Sequence, residues 1–229
     1  MRAERNRLTP IPSGTDSPTF TSPGASAGGV ETRFAALAGD AWTRLPAPIR
    51  RRFSRHLAEG RRIVYLGEVA ATHLTMVGRL IAQLARLVGA PLPLEAGGCL
   101  PVAVIVTGSE RLGGQVWTRI YDRARGFPQV IQSVKCFGGA TGLEEIVARG
   151  VGMRLKLSVR DRALVFRSAG YFIRCLGVEL PLPDWLTPGV LEVVHREEAA
   201  GRFSFSLSVT HSWAGHVIDQ RAFFREEQS

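Results

Sequence analysis

The chain has 229 residues, of which 45% are hydrophobic, 21% are charged and 8% are aromatic, and its formal net charge is +9 at pH 7. This composition is typical of a globular protein, and it excludes a collagen, a coiled coil, a disulfide scaffold and a wholly disordered chain. The positive charge is concentrated in residues 1–62. Because a folded nucleic-acid-binding domain usually carries its charge as a stripe on its own surface, we do not expect a nucleic-acid partner.

Cysteine usage and hydropathy bear on where the protein works. The chain has 3 cysteines and no CxxC pair, and its N-terminus has charge but lacks the apolar stretch of a secretory signal. An odd number of cysteines without a signal predicts reduced thiols and a cytoplasmic location. The most apolar window, residues 74–94, contains Arg79 and Arg86. Placing each of them mid-bilayer would cost ~2.5–3.5 kcal/mol, so no membrane span is predicted.

The N-terminal part of the chain predicts a tail followed by two short helices. Residues 1–30 are rich in Pro, Gly, Ser and Thr and predict a disordered tail, whereas residues 31–229 predict a single α+β domain. Apolar residues at helical spacing predict a first helix that begins near residue 31 and ends at Pro46. Pro48 favours the first turn of a second helix over residues 49–58.

An amphipathic helix is predicted over residues 74–88, and Gly89 ends it. Its apolar stripe is formed by Leu74, Val77, Leu80, Ile81, Leu84, Leu87 and Val88. Because burial of each such side chain stabilises a fold by roughly 1.5–3 kcal/mol, we expect this helix to be a principal element of the core.

From Cys99 onward the hydrophobic period changes from 3.6 to 2, which predicts strands after an earlier one near residues 63–72. These strands cover residues 102–106, 115–121, 130–137, 153–160, 163–167, 171–175, 191–195, 202–210 and 216–223. Strands and helices do not alternate, so the predicted fold class is α+β. We expect N-terminal helices followed by a curved antiparallel β-meander, a partial barrel that wraps the amphipathic helix.

Several segments together resemble one family. They are FAALAGDAWTRLP at 34–46, VWTRI at 116–120, GVGMRL at 150–155, ELPLP at 179–183 and HSWAGHVIDQRAF at 211–223. The chain is similar, over residues 31–225, to the bacterial family called domain of unknown function 4166. The family has no established activity or catalytic residues, so the resemblance assigns no catalytic residue to this chain. Its members are often attached to, or encoded beside, short-chain or saccharopine-dehydrogenase-like nucleotide-binding proteins, which implies a dehydrogenase-like partner.

One predicted strand carries the best candidate for a binding site. Trp117, Arg119 and Tyr121 alternate and therefore share one face of the sheet. If the sheet is concave there, an arginine among aromatic side chains can receive a carboxylate or a phosphate. The alternative is that Arg119 pairs with an acid or lies along Trp117 on the solvent side.

Two further motifs each have a functional and a plainer interpretation. His211 and His216, with Asp219 near them, could share a metal ion, but a third ligand at matching spacing is missing and a surface or core role is favoured. Glu144 and Glu145 follow a glycine-rich stretch that matches no phosphate-binding motif, which favours a plain loop. We therefore predict no catalytic residue, metal site or cofactor.

The leading functional hypothesis is a non-catalytic binding or accessory domain. The sheet and the helix over 74–88 would enclose a small hydrophobic or amphipathic ligand, with Arg119 as polar anchor and Trp117, Tyr121, Tyr171 and Trp185 as the other ligand-binding residues. The alternative, which rests on the resemblance, is an enzyme or a partner subunit of a nucleotide-dependent oxidoreductase.

Overall fold

The computed structural model describes residues 30–55, 57–87, 92, 98–123, 126–148, 150–176, 178–199 and 201–226. The predicted disordered tail lies outside the described residues except for Val30, where the first helix begins. Helix α1 (Val30–Ala38) continues into a 3-10 helix (Gly39–Arg44), and α2 (Ala47–Ser54) follows. Pro46 separates them as predicted, because proline disfavours helical backbone in the residue before it.

The rest of the described chain is mostly strand. The elements are β1 (Arg62–Leu74), α3 (Met76–Leu87), β2 (Leu100–Ser109), β3 (Gly114–Tyr121), β4 (Gln129–Cys136), β5 (Glu144–Ala148), β6 (Val151–Arg160), β7 (Ala163–Cys175), β8 (Val178–Leu182), β9 (Val190–Ala199), β10 (Arg202–His211) and β11 (Gly215–Glu226). Strand β7 spans two strands predicted separately, and β8 lies in a segment for which no strand is predicted.

The predicted α+β partial barrel is wrong. Strands make up 59% of the structure, and ten of them close into an antiparallel barrel. Around the barrel the order is β1 to β7, then β9, β10 and β11, while β8 pairs with the end of β7 beyond the barrel. Closure depends on the pairing of β1 with β11, from Tyr65 opposite Glu226 to Leu74 opposite Ile218. Such pairing between distant segments leaves no mark in local spacing.

The predicted position of the amphipathic helix is also wrong. The helix exists as α3, but the barrel does not wrap it: Leu80 is 60% and Leu84 is 53% exposed. Only part of its surface is buried, with Ala82 fully covered. The physical reason is the available space, because a helix with its side chains is about 10 Å wide and inward-facing side chains of the strands leave only a small cavity inside the barrel.

The two ends of the barrel differ in what covers them. Arg55, directly after α2, forms an ion pair with Glu226, the last residue of β11. Near the first residues of the same strand, the N–H of Thr75, directly before α3, donates to the carbonyl oxygen of Val217 at 3.1 Å. Helices α1 and α2 therefore lie at one end, the plug end, and α3 lies at the other, the α3 end.

Aromatic side chains fill the plug end. The ring of Phe34 is fully buried, with its centroid 5.4 Å from that of Phe53 and 4.7 Å from that of Phe137. Phe53 reaches further into the barrel, where its centroid lies 5.6 Å from Phe166. Helix α2 thus places an aromatic ring at the end of the interior space.

Candidate functional site

A cavity of about 140 Å³ lies inside the barrel. Its wall is mostly apolar and includes Phe53 from the plug, Leu92 from the segment after α3, and strand residues Val104, Ile131, Met153, Leu155, Phe166, Leu191, Val193, Phe205 and Leu207. Side chains of most barrel strands therefore surround one space, as the alternation of inward and outward residues in a closed barrel requires.

Four polar side chains on this wall form one hydrogen-bonded group, which we call the polar cluster. Glu145 is its centre: its Oε2 accepts from Lys135 Nζ at 2.6 Å, and its Oε1 accepts from Ser133 Oγ at 2.5 Å. Arg119 donates through Nη2 to Glu145 Oε1 at 3.3 Å and through Nη1 to Ser133 Oγ at 3.0 Å. Both carboxylate oxygens of Glu145 are thus occupied by donors.

Strand register explains why these residues meet. Lys135 on β4 lies directly opposite Glu145 on β5, and Ser133 lies opposite Trp117 on β3. Because side chains alternate along a strand, Ser133 and Lys135 point to the same face, which here is the inside of the barrel. Arg119, two residues after Trp117, enters the same layer.

Burial and charge act against each other in the polar cluster. Burial alone would raise the pKa of Glu145, but the neighbouring Lys135 and Arg119 cations, together with the hydrogen bonds it accepts, hold that pKa at about 2. Burial lowers the pKa of Lys135, and the Glu145 carboxylate opposes this effect. The Lys135 ammonium also lies 5.1 Å from the centroid of the Trp117 ring, a favourable cation–π contact.

The structure separates the predicted ligand-binding residues. Trp117, Arg119 and Tyr121 all line the cavity. Tyr171 lines a different cleft, and its hydroxyl donates to the carbonyl oxygen of Gly189 at 2.9 Å. Trp185 is 72% exposed on the surface. Whether any of them touches a ligand stays a prediction.

Both interpretations of Arg119 left open by the sequence have a counterpart in the structure. It pairs with an acid, Glu145, and its guanidinium carbon lies 6.0 Å from the centroid of the Trp117 ring. This pairing takes place on the cavity wall, where the Arg119 side chain is 23% exposed, rather than on the solvent side. The arginine is therefore both partnered and accessible from the cavity.

Sequence reasoning missed Ser133, Lys135 and Glu145. Lys135 is one of only two lysines in the chain, and it lies in a predicted strand, which was a usable signal. The sequence pattern favours a loop at Glu145, but β5 begins at Glu144. A lysine and a glutamate in neighbouring short strands can be recognised as a pair only when the strand order is known.

The cleft that Tyr171 lines lies outside the barrel and measures about 630 Å³. Its charged side chains include Arg160 and Arg167, which both pair with Glu192 at 2.5 and 3.4 Å. His211 and His216 also line it, and among the residues that the structure describes no three His, Cys, Asp or Glu side chains are grouped so as to hold a metal ion.

The fold and the cavity define a class: a closed antiparallel β-barrel of ten strands, plugged at one end by helices, with a polar cluster on the wall of a mostly apolar cavity. The chain belongs to the family described as domain of unknown function DUF4166, whose sequence model matches residues 45–224. The family predicted from the sequence is thereby confirmed. No curated protein and no solved structure matches the chain. No helix in the described ranges is long and apolar enough to cross a membrane.

Proposed function

We propose that the protein is a non-catalytic binding domain that takes one small amphipathic acid inside its barrel. The observation that carries the proposal is the combination of an apolar cavity with an excess of positive charge on its wall. The apolar wall would bind the body of the ligand, and Arg119 would bind its acidic head.

Cavity size limits the ligand. An apolar cavity of about 150 Å³ holds a benzene molecule, whereas sites for drug-sized molecules measure roughly 300–1,000 Å³. The barrel cavity, at about 140 Å³, therefore fits one ring or a short branched chain. A longer ligand would need side chains at one end of the cavity to move.

Charge selects the head group. Among the described residues of the cavity wall, Arg119 and Lys135 are cationic and Glu145 is the one acid, so the polar cluster carries one excess positive charge. A guanidinium has five N–H donors, and the described residues accept two of those of Arg119. A ligand carboxylate would accept from the remaining donors and neutralise the cluster.

Binding is favoured over catalysis by the state of the nucleophiles. The Ser133 hydroxyl donates a hydrogen bond to Glu145, and the Lys135 ammonium donates one to the same carboxylate. An activated nucleophile needs a base that can take its proton, and a carboxylate saturated by donors is a poor one. The partnership with a dehydrogenase-like protein stays a prediction from the resemblance.

The test compares an acid with its neutral analogue. Native mass spectrometry of the purified full chain would first show any co-purifying acid. Calorimetric titration would then use benzoate and benzamide, which share the ring and differ in charge. We expect benzoate to bind at least about tenfold more tightly, since hydrogen bonds to charged groups contribute about 1.5–3 kcal/mol.

Three variants assign the effect. Arg119→Gln should remove the preference for benzoate, and Val193→Phe should abolish binding of both molecules by filling the cavity. Arg160→Gln, an exposed arginine outside the barrel, is the control and should change nothing. If the parent protein carries no bound acid and binds neither probe, the proposed function is wrong.

A further inference from the structure

The α3 end of the barrel exposes more large apolar side chains than the plug end does. Met76, Leu80 and Leu84 on α3 are 80%, 60% and 53% exposed. Their spacing of four residues places them on one stripe of the helix. Leu80 and Leu84 belong to the predicted apolar face, which the barrel leaves uncovered there, and Met76 extends their stripe by one turn.

The other loops at the α3 end add aromatic side chains to this stripe. Phe127 in the β3–β4 connection is 90% exposed, and Trp213 in the β10–β11 turn is 71% exposed. Trp185, in the segment that leads into β9, is 72% exposed. Antiparallel neighbours alternate in direction, so these connections all lie at the same end as α3. We call Met76, Leu80, Leu84, Phe127, Trp185 and Trp213 the apolar rim.

The plug end provides the comparison. Its connections are the turns between β2 and β3, β4 and β5, β6 and β7, and β9 and β10. Among the described residues of these turns, the one large exposed apolar side chain is Leu112, at 44%. Monomeric proteins rarely expose apolar side chains in such a concentration without a binding role.

We propose that the apolar rim docks the protein on the surface of an anionic membrane. Helix α3 contains Arg79 and Arg86, both exposed, and no acidic residue, so its charge complements anionic lipids. Exposed tryptophans are typical of the membrane interface, where the ring is apolar and its N–H reaches water. Three rim residues lie on α3 and three lie on connections between strands, and a fluid interface accepts side chains from separate segments without requiring one complementary shape.

The proposal does not depend on whether the cavity binds a ligand. Leu92, which follows α3 in the chain, lines the cavity, so docking at this end would bring the barrel interior close to the membrane. A small amphipathic acid partitions into the same interface. The surface and the cavity are nevertheless tested by different measurements.

The experiment measures binding of the full chain to vesicles of phosphatidylcholine, with or without phosphatidylserine. We expect binding to the anionic vesicles, and the double variant Leu80→Gln with Leu84→Gln should weaken it at least about tenfold. The matched control is Leu66→Gln with Leu112→Gln, which changes two leucines of 48% and 44% exposure away from the rim and should bind like the parent.

A second pair of variants tests the charge. Arg79→Gln with Arg86→Gln should weaken binding to anionic vesicles about fivefold for each arginine and leave binding to neutral vesicles unchanged. The control is Arg61→Gln with Arg111→Gln, two exposed arginines at the plug end. Equal loss in both pairs would show a response to net charge and would overturn the proposal.

Tryptophan emission gives a readout on the unaltered protein. Trp42 and Trp117 are buried, so a blue shift on adding vesicles reports Trp185 and Trp213, and Trp185→Phe and Trp213→Phe assign it. If the protein neither sediments together with the anionic vesicles nor shows a blue shift when they are added, the proposal is overturned. So does capture of a soluble protein that requires the rim when vesicle binding is absent.

Discussion

Lys135 and Glu145 lie directly opposite each other on the neighbouring strands β4 and β5, and their side chains meet inside the barrel with Nζ and Oε2 2.6 Å apart. Each side chain is 8% exposed. Two charges taken out of water remain favourable only while they are paired and their other hydrogen bonds are satisfied. Ser133 and Arg119 donate the other hydrogen bonds that Glu145 accepts. The carboxylate of Glu145 therefore compensates the positive charges of both Lys135 and Arg119, whereas Lys135 is paired with Glu145 alone among the described residues.

The first prediction follows from the fact that Glu145 has two cationic partners and Lys135 has one acidic partner. Glu145→Gln leaves the buried cation of Lys135 and the partly buried cation of Arg119 without a counter-charge, and we expect it to lower the free energy of unfolding by about 3–5 kcal/mol. Lys135→Met leaves Glu145 with Arg119 and Ser133, so its loss should be smaller. Adding Lys135→Met to Glu145→Gln should restore part of the stability. Urea unfolding followed by circular dichroism measures all three.

The other lysine of the chain is the natural control. Lys156 is exposed on β6, and Lys156→Met should change stability by no more than about 0.5 kcal/mol. An unchanged stability of Glu145→Gln would contradict the role given to the buried carboxylate. So would a further loss when Lys135→Met is added to it.

The second prediction concerns acid. The pKa of Glu145 is about 2 in the fold against 4.5 for a free side chain, so the unfolded chain takes up its proton first as the pH falls. Glu145 therefore contributes stability above pH 4.5 that is lost between pH 4.5 and 2, by about 3 kcal/mol in all. The stability difference between the parent and Glu145→Gln should shrink over this window in urea unfolding. A constant difference would refute the lowered pKa.

The third prediction concerns a separate pH window at the plug. His195 is fully buried, and its Nε2 lies 3.1 Å from Nη1 of Arg52, which also pairs with Glu197 at 2.7 Å. Burial, and then the Arg52 cation, hold the pKa of His195 well below its usual value of 6.5. The unfolded chain binds the proton first, so stability is complete above pH 6.5 and falls as the pH drops below it.

This loss should reach up to about 1.4 kcal/mol per pH unit below 6.5. His195→Gln keeps an acceptor for Arg52 but does not titrate, and it should flatten the stability profile between pH 6.5 and 5. His216→Gln changes an exposed histidine and should keep the parent slope. If His195→Gln follows the parent curve, the histidine is not the titrating group.

Local pattern predicted the strands better than their assembly. The two-residue period of β6 and β10 gave their extents within a few residues, because each has one inward and one outward face. Barrel closure depends on β1 meeting β11 and on β7 meeting β9, and both pairings join distant segments. The helix over 74–88 was placed inside because its stripe is apolar, yet the barrel interior has no room for it.

Half of the candidate site can be predicted from the sequence, because alternation within one strand reveals some of its residues and not their partners on other strands. Trp117 and Arg119 share a face by alternation alone, and both line the cavity. On β4, however, Ser133 and Lys135 point inward while Val130 is 52% exposed, which reverses the usual order. A buried lysine is stable only through its acid on another strand, and spacing within one segment does not reveal that partner.

The fourth prediction uses the plug to change the cavity. Phe53 is 4% exposed and lines the cavity, with its ring centroid 6.4 Å from that of Trp117. Phe53→Ala should lower the free energy of unfolding by about 3–5 kcal/mol, and the space of one ring would join the cavity. The variant should therefore bind 2-naphthoate, which has two rings, more tightly than the parent does. Phe53→Leu, a milder truncation, should show the same order if the alanine variant unfolds.

Phe127→Ala removes an exposed ring and should leave both stability and 2-naphthoate binding unchanged. Equal binding of 2-naphthoate by the parent and by a folded Phe53 variant would mean that the plug does not limit the cavity.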